Sequence, residues 1–76
     1  MKIEILGTGC ANCKKTEKIV RQAVEETGLT IEIEKVEDMD KIIDRGVMMT
    51  PAVVIDGEVK IVGRVPTKED IKQLIN

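Results

Sequence analysis

The first half of the chain constrains the fold most, because it combines strand-like and helix-like periodicity in one β-α-β unit. Lys2–Leu6 alternates polar and apolar side chains, as a half-buried strand does. Apolar residues at helical spacing predict a helix over Ala11–Thr27, and Gly28 suits the left-handed position that ends a helix. A second strand is predicted over Thr30–Val36, where Ile31 and Ile33 alternate with glutamates and the alternation breaks at Lys35-Val36. This order predicts a parallel strand pair joined by a right-handed crossover.

The second half predicts a short helix, a hairpin and a final helix. Asp38 and Gly46 mark the start and stop of the short helix. Asp56-Gly57 is a strong hairpin signal. The strands that flank this turn are predicted at Ala52–Ile55 and Val59–Val62. Thr67 is the predicted N-cap of the last helix. The predicted fold class is therefore α/β, in the order β-α-β-α-β-β-α, with a four-stranded mixed sheet flanked by three helices in one domain over residues 1–76.

Composition excludes several classes of function. The chain has no Phe, Tyr or Trp on which a nucleic-acid base could stack, and its net charge is −2, so we expect no nucleic-acid partner. No apolar run approaches the roughly 20 residues of a membrane helix, so we expect no membrane association. Met1–Leu6 is too short and too polar for a signal peptide, and we expect a monomer in the cytoplasm.

The two cysteines of the chain, Cys10 and Cys13, lie where a glycine-rich turn meets the first predicted helix. A disulfide between them would close a loop of about four residues and stabilise the fold by only about 2 kcal/mol. The cytoplasm also tends to keep thiols reduced. Cα atoms three residues apart in a helix are about 5 Å from each other, within the roughly 4.4 to 6.8 Å that a disulfide needs. The spacing favours a redox-active pair over a structural staple.

The helix start predicts different roles for the two thiols. Free N–H groups and the helix dipole favour an anion there, which lowers the pKa of a cysteine below its usual value of about 8.5. Cys10 is the more exposed position, and we expect it to be the nucleophile. Cys13 points back toward the domain and would resolve the mixed disulfide. Lys14 and Lys15 could stabilise a thiolate, although a solvated helix face is the simpler interpretation.

Taken together, these motifs resemble the thioredoxin superfamily. They are Cys10-Ala11-Asn12-Cys13 after the first strand and Thr50-Pro51 before the Asp56-Gly57 hairpin. The chain lacks the extra N-terminal β-α unit of full thioredoxins and is similar to glutaredoxin-sized prokaryotic thioredoxins over Lys2–Ile75. The resemblance implies a thioredoxin-like fold and an enzyme that reduces protein disulfides. It also implies a thioredoxin-reductase-type electron donor and no cofactor besides the Cys10–Cys13 disulfide.

The resemblance further implies a substrate-binding surface beside the cysteines. Pro51 corresponds to the cis proline that faces the disulfide, and Thr50 to the residue whose backbone pairs with an extended substrate. Met49, with Met48, falls where an apolar rim of the groove would lie, although methionine also fills gaps in cores. Gly63 corresponds to a glycine near the groove on the last strand, and its alternative interpretation is a strand bulge.

The residues between the two cysteines and the glutamate in the first strand need separate comparison with the family pattern. Ala11-Asn12 replaces the Gly-Pro of thioredoxins and the Pro-Tyr of glutaredoxins, which leaves the redox potential and the partner open. Glu4 lies six residues before Cys10, the spacing of a buried carboxylate in thioredoxins. Alternation places Glu4 opposite the apolar residues of its strand, and we expect a surface residue.

Two other functions fit the same motif. Residues 7–13 also resemble the metal-binding loop of copper chaperones, in which two thiolates carry Cu(I) or contribute to a zinc site. That family has a β-α-β-β-α-β order and usually a methionine where this chain has Thr8, and this chain has no histidine to complete a zinc site. We therefore expect no bound metal. A non-catalytic thioredoxin-like binding module is the third possibility, against which the paired cysteines argue.

Overall fold

The predicted order of helices and strands is confirmed. A computed structural model describes residues 1–75. Its elements are β1 (Lys2–Leu6), α1 (Ala11–Thr27), β2 (Glu32–Val36), α2 (Met39–Asp44), β3 (Ala52–Ile55), β4 (Glu58–Val62) and α3 (Lys68–Ile75). The fold class is α/β, as expected, and β2 begins two residues later than the sequence pattern suggests.

The four strands within residues 1–75 form one mixed sheet in the order β2-β1-β3-β4. β1 pairs with β2 in parallel and with β3 in antiparallel fashion, and β3 pairs with β4 antiparallel. Leu6, at the end of β1, lies opposite Ala52, at the start of β3. The segment that follows β1 and the segment that precedes β3 therefore meet at the same edge of the sheet.

Apolar side chains fill both sides of the sheet, but unequally. The larger cluster joins Ile3 and Ile5 of β1 to buried residues of α1 and α3, among them Val20, Ala23 and Ile71. The smaller cluster lies on the α2 side and consists of Leu6, Val36, Ile42, Val47, Ala52 and Val54. Alternation along β1 assigns Ile3 and Ile5 to the first side and Leu6 to the second.

Local sequence signals form the turns that they predict. Asp56 and Gly57 both have positive φ, 50° and 84°, as a two-residue hairpin of type I′ requires. Gly28 ends α1 with φ 72°. Thr67 and Asp70 form a reciprocal cap, in which each backbone N–H donates to the other side chain at 3.1 Å.

Candidate active site

Cys10 is the N-cap of α1 and places its thiol at the helix start. Its backbone is extended, with φ −69° and ψ 167°, and its Sγ accepts a hydrogen bond from the Cys13 N–H at 3.2 Å. The Cys10 carbonyl accepts the first intrahelical bond, from the Lys14 N–H at 3.0 Å. Sulfur thus takes the position that a serine or aspartate oxygen usually occupies. The thiol remains exposed to solvent.

Cys13 lies one turn into the helix and is buried, with only 2% of its surface exposed. It packs directly over Gly7, where a Cβ atom would overlap both Sγ and Cβ of Cys13. The Gly7 N–H donates to the Val36 carbonyl at 3.0 Å, so this residue is fixed to the sheet. The Gly-rich turn is visible in the sequence, but the contact between Gly7 and Cys13 depends on how α1 packs against the sheet.

The two thiols have pKa values that are shifted in opposite directions. A hydrogen bond from the Cys13 thiol, and secondly one from its backbone N–H, lowers the pKa of Cys10. Burial, and secondly the same thiol–thiol hydrogen bond, raises the pKa of Cys13. Cys10 therefore ionises first, which is the order that an exposed nucleophile and a buried resolving thiol require.

Thr50 and Pro51 lie at the same sheet edge as the cysteines, since they precede β3. The peptide bond between them is cis, as the resemblance implies. Pro51 is buried, and its carbonyl accepts a hydrogen bond from the Gly63 N–H at 2.8 Å. Thr50 is half-buried. The structure thus places Thr50, Pro51 and Gly63 together.

The side chains of Met48 and Met49 are not part of the core, because they are 95% and 62% exposed. The alternative of gap-filling methionines is wrong here. Met49 packs against Gly63, where an added Cβ would lie 3.3 Å from the Met49 Cβ. Gly63 follows β4 with φ 74°, and the irregularity between β3 and β4 falls instead at Val53–Val54, so the bulge interpretation of Gly63 is also wrong.

An apolar cavity of about 440 Å³ adjoins Thr50 on the α2 side. Its walls are Met39, Ile42, Ile43, Gly46, Val47, Met48 and Thr50. The exposed methionines and this cavity give the sheet edge an apolar surface next to the peptide bond of Pro51. Such a surface suits an apolar side chain of a bound peptide.

Glu4 is buried, with 6% of its surface exposed, so the expectation of a surface residue is wrong. Both of its carboxylate oxygens accept hydrogen bonds from Arg45, at 2.9 to 3.2 Å. α2 covers this face of the sheet and brings Arg45 over Glu4. The two residues are 41 positions apart, and no local pattern in the sequence indicates that they pair.

Neither a metal cluster nor a membrane helix is found among residues 1–75. No group of three or more His, Cys, Asp or Glu side chains in this part of the chain is arranged to hold a metal ion. No helix within it is long and apolar enough to cross a bilayer.

Comparison with known proteins assigns the family. Residues 1–76 match the thioredoxin domain family. The chain is 50% identical over 76 residues to a thioredoxin of Methanothermobacter thermautotrophicus, an alignment that covers 100% of this chain and 99% of the relative. It is 42% identical over 71 residues to a thioredoxin of Methanocaldococcus jannaschii, covering 93% and 81%. The fold, the paired cysteines and these similarities agree: the chain belongs to the thioredoxin family of thiol–disulfide oxidoreductases.

Proposed function

We propose that this protein reduces protein disulfides by dithiol–disulfide exchange through Cys10 and Cys13. The observation that carries the proposal is that the two thiols differ in exposure and in pKa. Cys10 is exposed at the helix N-cap and has a lowered pKa, whereas Cys13 is buried beneath it and has a raised pKa. A disulfide that served only as a staple has no need of one reactive and one protected sulfur.

The reaction proceeds in two exchanges. The Cys10 thiolate attacks one sulfur of the substrate disulfide, forms a mixed disulfide, and releases the other substrate sulfur, which takes up a proton from water. Cys13 then loses its proton to water and attacks the Cys10 sulfur. The mixed disulfide breaks, and the second substrate sulfur is released and protonated. Two electrons and two protons pass to the substrate, and Cys10 and Cys13 are left as a disulfide.

The substrate-binding roles of Thr50, Pro51, Met49 and Gly63 are part of this proposal. Their support is that they meet at one sheet edge with the cysteines. The backbone of Thr50 would pair with an extended substrate, while Met49 would contact its side chains. Ala11 and Asn12, which are exposed between the cysteines, would face the same substrate.

The oxidised pair needs a reductant for each cycle. We assign this role to a thioredoxin-reductase-type donor acting on the Cys10–Cys13 disulfide. The electrons reside in the two sulfurs themselves, so the reaction requires no bound cofactor. A monomer in the reducing cytoplasm fits these requirements, because free dithiols persist there.

Insulin reduction in the presence of dithiothreitol tests the proposal. The parent protein should accelerate precipitation of the insulin B chain, and Cys10→Ser should abolish the acceleration. Cu(I) titration serves as the competing assay. An inactive parent protein that binds one Cu(I) tightly would establish metal carriage instead, and an inactive parent with partner binding that survives loss of both thiols would establish a binding module.

A further inference from the structure

Glu4 and Arg45 form a two-pronged ion pair that the reaction scheme does not use. Arg45 Nε donates to Glu4 Oε2 at 3.2 Å, and Arg45 Nη2 donates to Oε1 and Oε2 at 3.0 and 2.9 Å. Glu4 is buried, whereas the Arg45 side chain is partly exposed. A guanidinium that engages both carboxylate oxygens fixes direction as well as distance. The pair therefore joins the central strand to the end of α2 in one defined geometry.

α2 has little else to hold it in place. It has six residues, and within Met39–Asp44 only Ile42 is buried. Met39 and Ile43 are exposed. A helix of this length is not stable by itself and depends on tertiary contacts. The ion pair from Arg45, the C-cap residue of α2, is thus a major attachment of this helix to the sheet.

The same pair links the two halves of the candidate active site. Glu4 lies on β1, six residues before Cys10, and Arg45 lies six residues before Pro51. Segment 46–50 lies between Arg45 and Pro51, and Val47 is its one buried side chain. Because Met48 extends into solvent and the largely exposed Met49 contacts Gly63 after β4, the position of this segment depends largely on its ends and on Val47.

The geometry of β1 argues against a direct effect of Glu4 on the two thiols. Alternation along β1 assigns Gly7, which contacts Cys13, to the face of Ile3 and Ile5. Glu4 is on the other face, and both of its oxygens are engaged by Arg45. Apart from burial, which raises the pKa of Cys13 most, the hydrogen bonds and charges that shift the pKa values of the two thiols come from residues 9–13.

We propose that Glu4 and Arg45 are positioning residues, which hold segment 46–50 and Pro51 in register with Cys10 for substrate binding. This role rests on the proposed function. It predicts that the pair acts on the affinity for a protein disulfide and not on the reactivity of the thiols.

Arg45→Met tests the role, with Arg21→Met as the matched control, because Arg21 forms an exposed ion pair with Glu17 on α1. Arg45→Met should raise the KM for insulin about three- to tenfold, with kcat nearly unchanged, since small displacements of binding groups are costly. Amide hydrogen exchange in segment 46–50 should quicken. The pH midpoint of Cys10 alkylation should stay at the parental value. Arg21→Met should match the parent throughout.

If Arg45→Met does not fold, Arg45→Lys provides the same test. A lysine cannot donate to both carboxylate oxygens in the fixed geometry of an arginine guanidinium. A parental KM and parental exchange in the folded variant would overturn the positioning role while the activity of the parent keeps the proposed function intact. A shifted alkylation midpoint in both Arg45→Met and Glu4→Gln would overturn it in favour of thiol tuning. An inactive parent protein would overturn the proposed function, and this role with it.

Discussion

Replacing Gly7 with alanine would place a methyl group in space that Cys13 occupies. The new Cβ would overlap both Sγ and Cβ of Cys13. Rotation about χ1 can move the sulfur but not the Cβ, so the first turn of α1 must shift away from the sheet. Gly7 does not have positive φ, and the substitution therefore adds no left-handed strain. The cost is that of overpacking, about 1 to 3 kcal/mol of unfolding free energy.

Urea unfolding of the reduced protein measures this cost. A small domain has an m-value near 1 kcal/mol per M, so the midpoint for Gly7→Ala should fall by about 1 to 3 M. Cys13→Ala removes the nearest overlapping atom. Gly7→Ala should therefore cost less in a Cys13→Ala background, with a coupling of about 1 kcal/mol. A midpoint within about 0.3 M of the parent, or purely additive costs, would refute the close packing of Gly7 and Cys13.

Two further predictions concern titration. Cys13→Ala removes the thiol that hydrogen-bonds Cys10, so the pKa of Cys10 should rise and its alkylation by iodoacetamide should reach half-maximal rate at higher pH than in the parent. Cys13→Ser keeps a donor and should stay near the parent; equal midpoints in the two variants would contradict this cause. Hydrogen bonds from two lysines of α3 lower the pKa of Glu26 from 4.5 to about 2. A carboxyl group whose pKa is lower in the folded protein than in the unfolded chain stabilises the fold at pH values above its unfolded pKa. This contribution is lost as the pH falls toward 2. Glu26→Gln should therefore flatten the fall in melting temperature between about pH 4.5 and 2, and an unchanged slope would argue against the ion pairs.

Features determined by neighbouring residues were predictable from the sequence. The limits of α1, the Asp56-Gly57 hairpin and the Thr67 cap each depend on residues within a few positions of one another. The placement of Cys10 and Cys13 belongs to the same group, since it follows from the residue at which α1 begins. Periodicity and capping rules describe such local preferences directly.

Features determined by distant segments were not predictable. The alternation of β1 predicts Glu4 at the surface, but α2 covers that face of β1 and provides Arg45. The alternation of β2 similarly breaks at Val36, because α2 also buries this end of the strand on the side where Glu34 is exposed. Met48 and Met49 could be core or surface residues by composition alone. For Glu4 and Val36, the degree of burial depends on where α2 packs against the sheet.

In the proposed mechanism, Cys10 attacks the substrate disulfide and Cys13 resolves the mixed disulfide. Mixing the reduced Cys13→Ser variant with a protein disulfide, followed by mass spectrometry of the trapped adduct, tests this assignment most directly. We expect a stable mixed disulfide on Cys10, and no adduct in Cys10→Ser under the same conditions. An adduct that forms at Cys13 when Cys10 is replaced, at a rate matching that of Cys10 in Cys13→Ser, would contradict the assignment of roles.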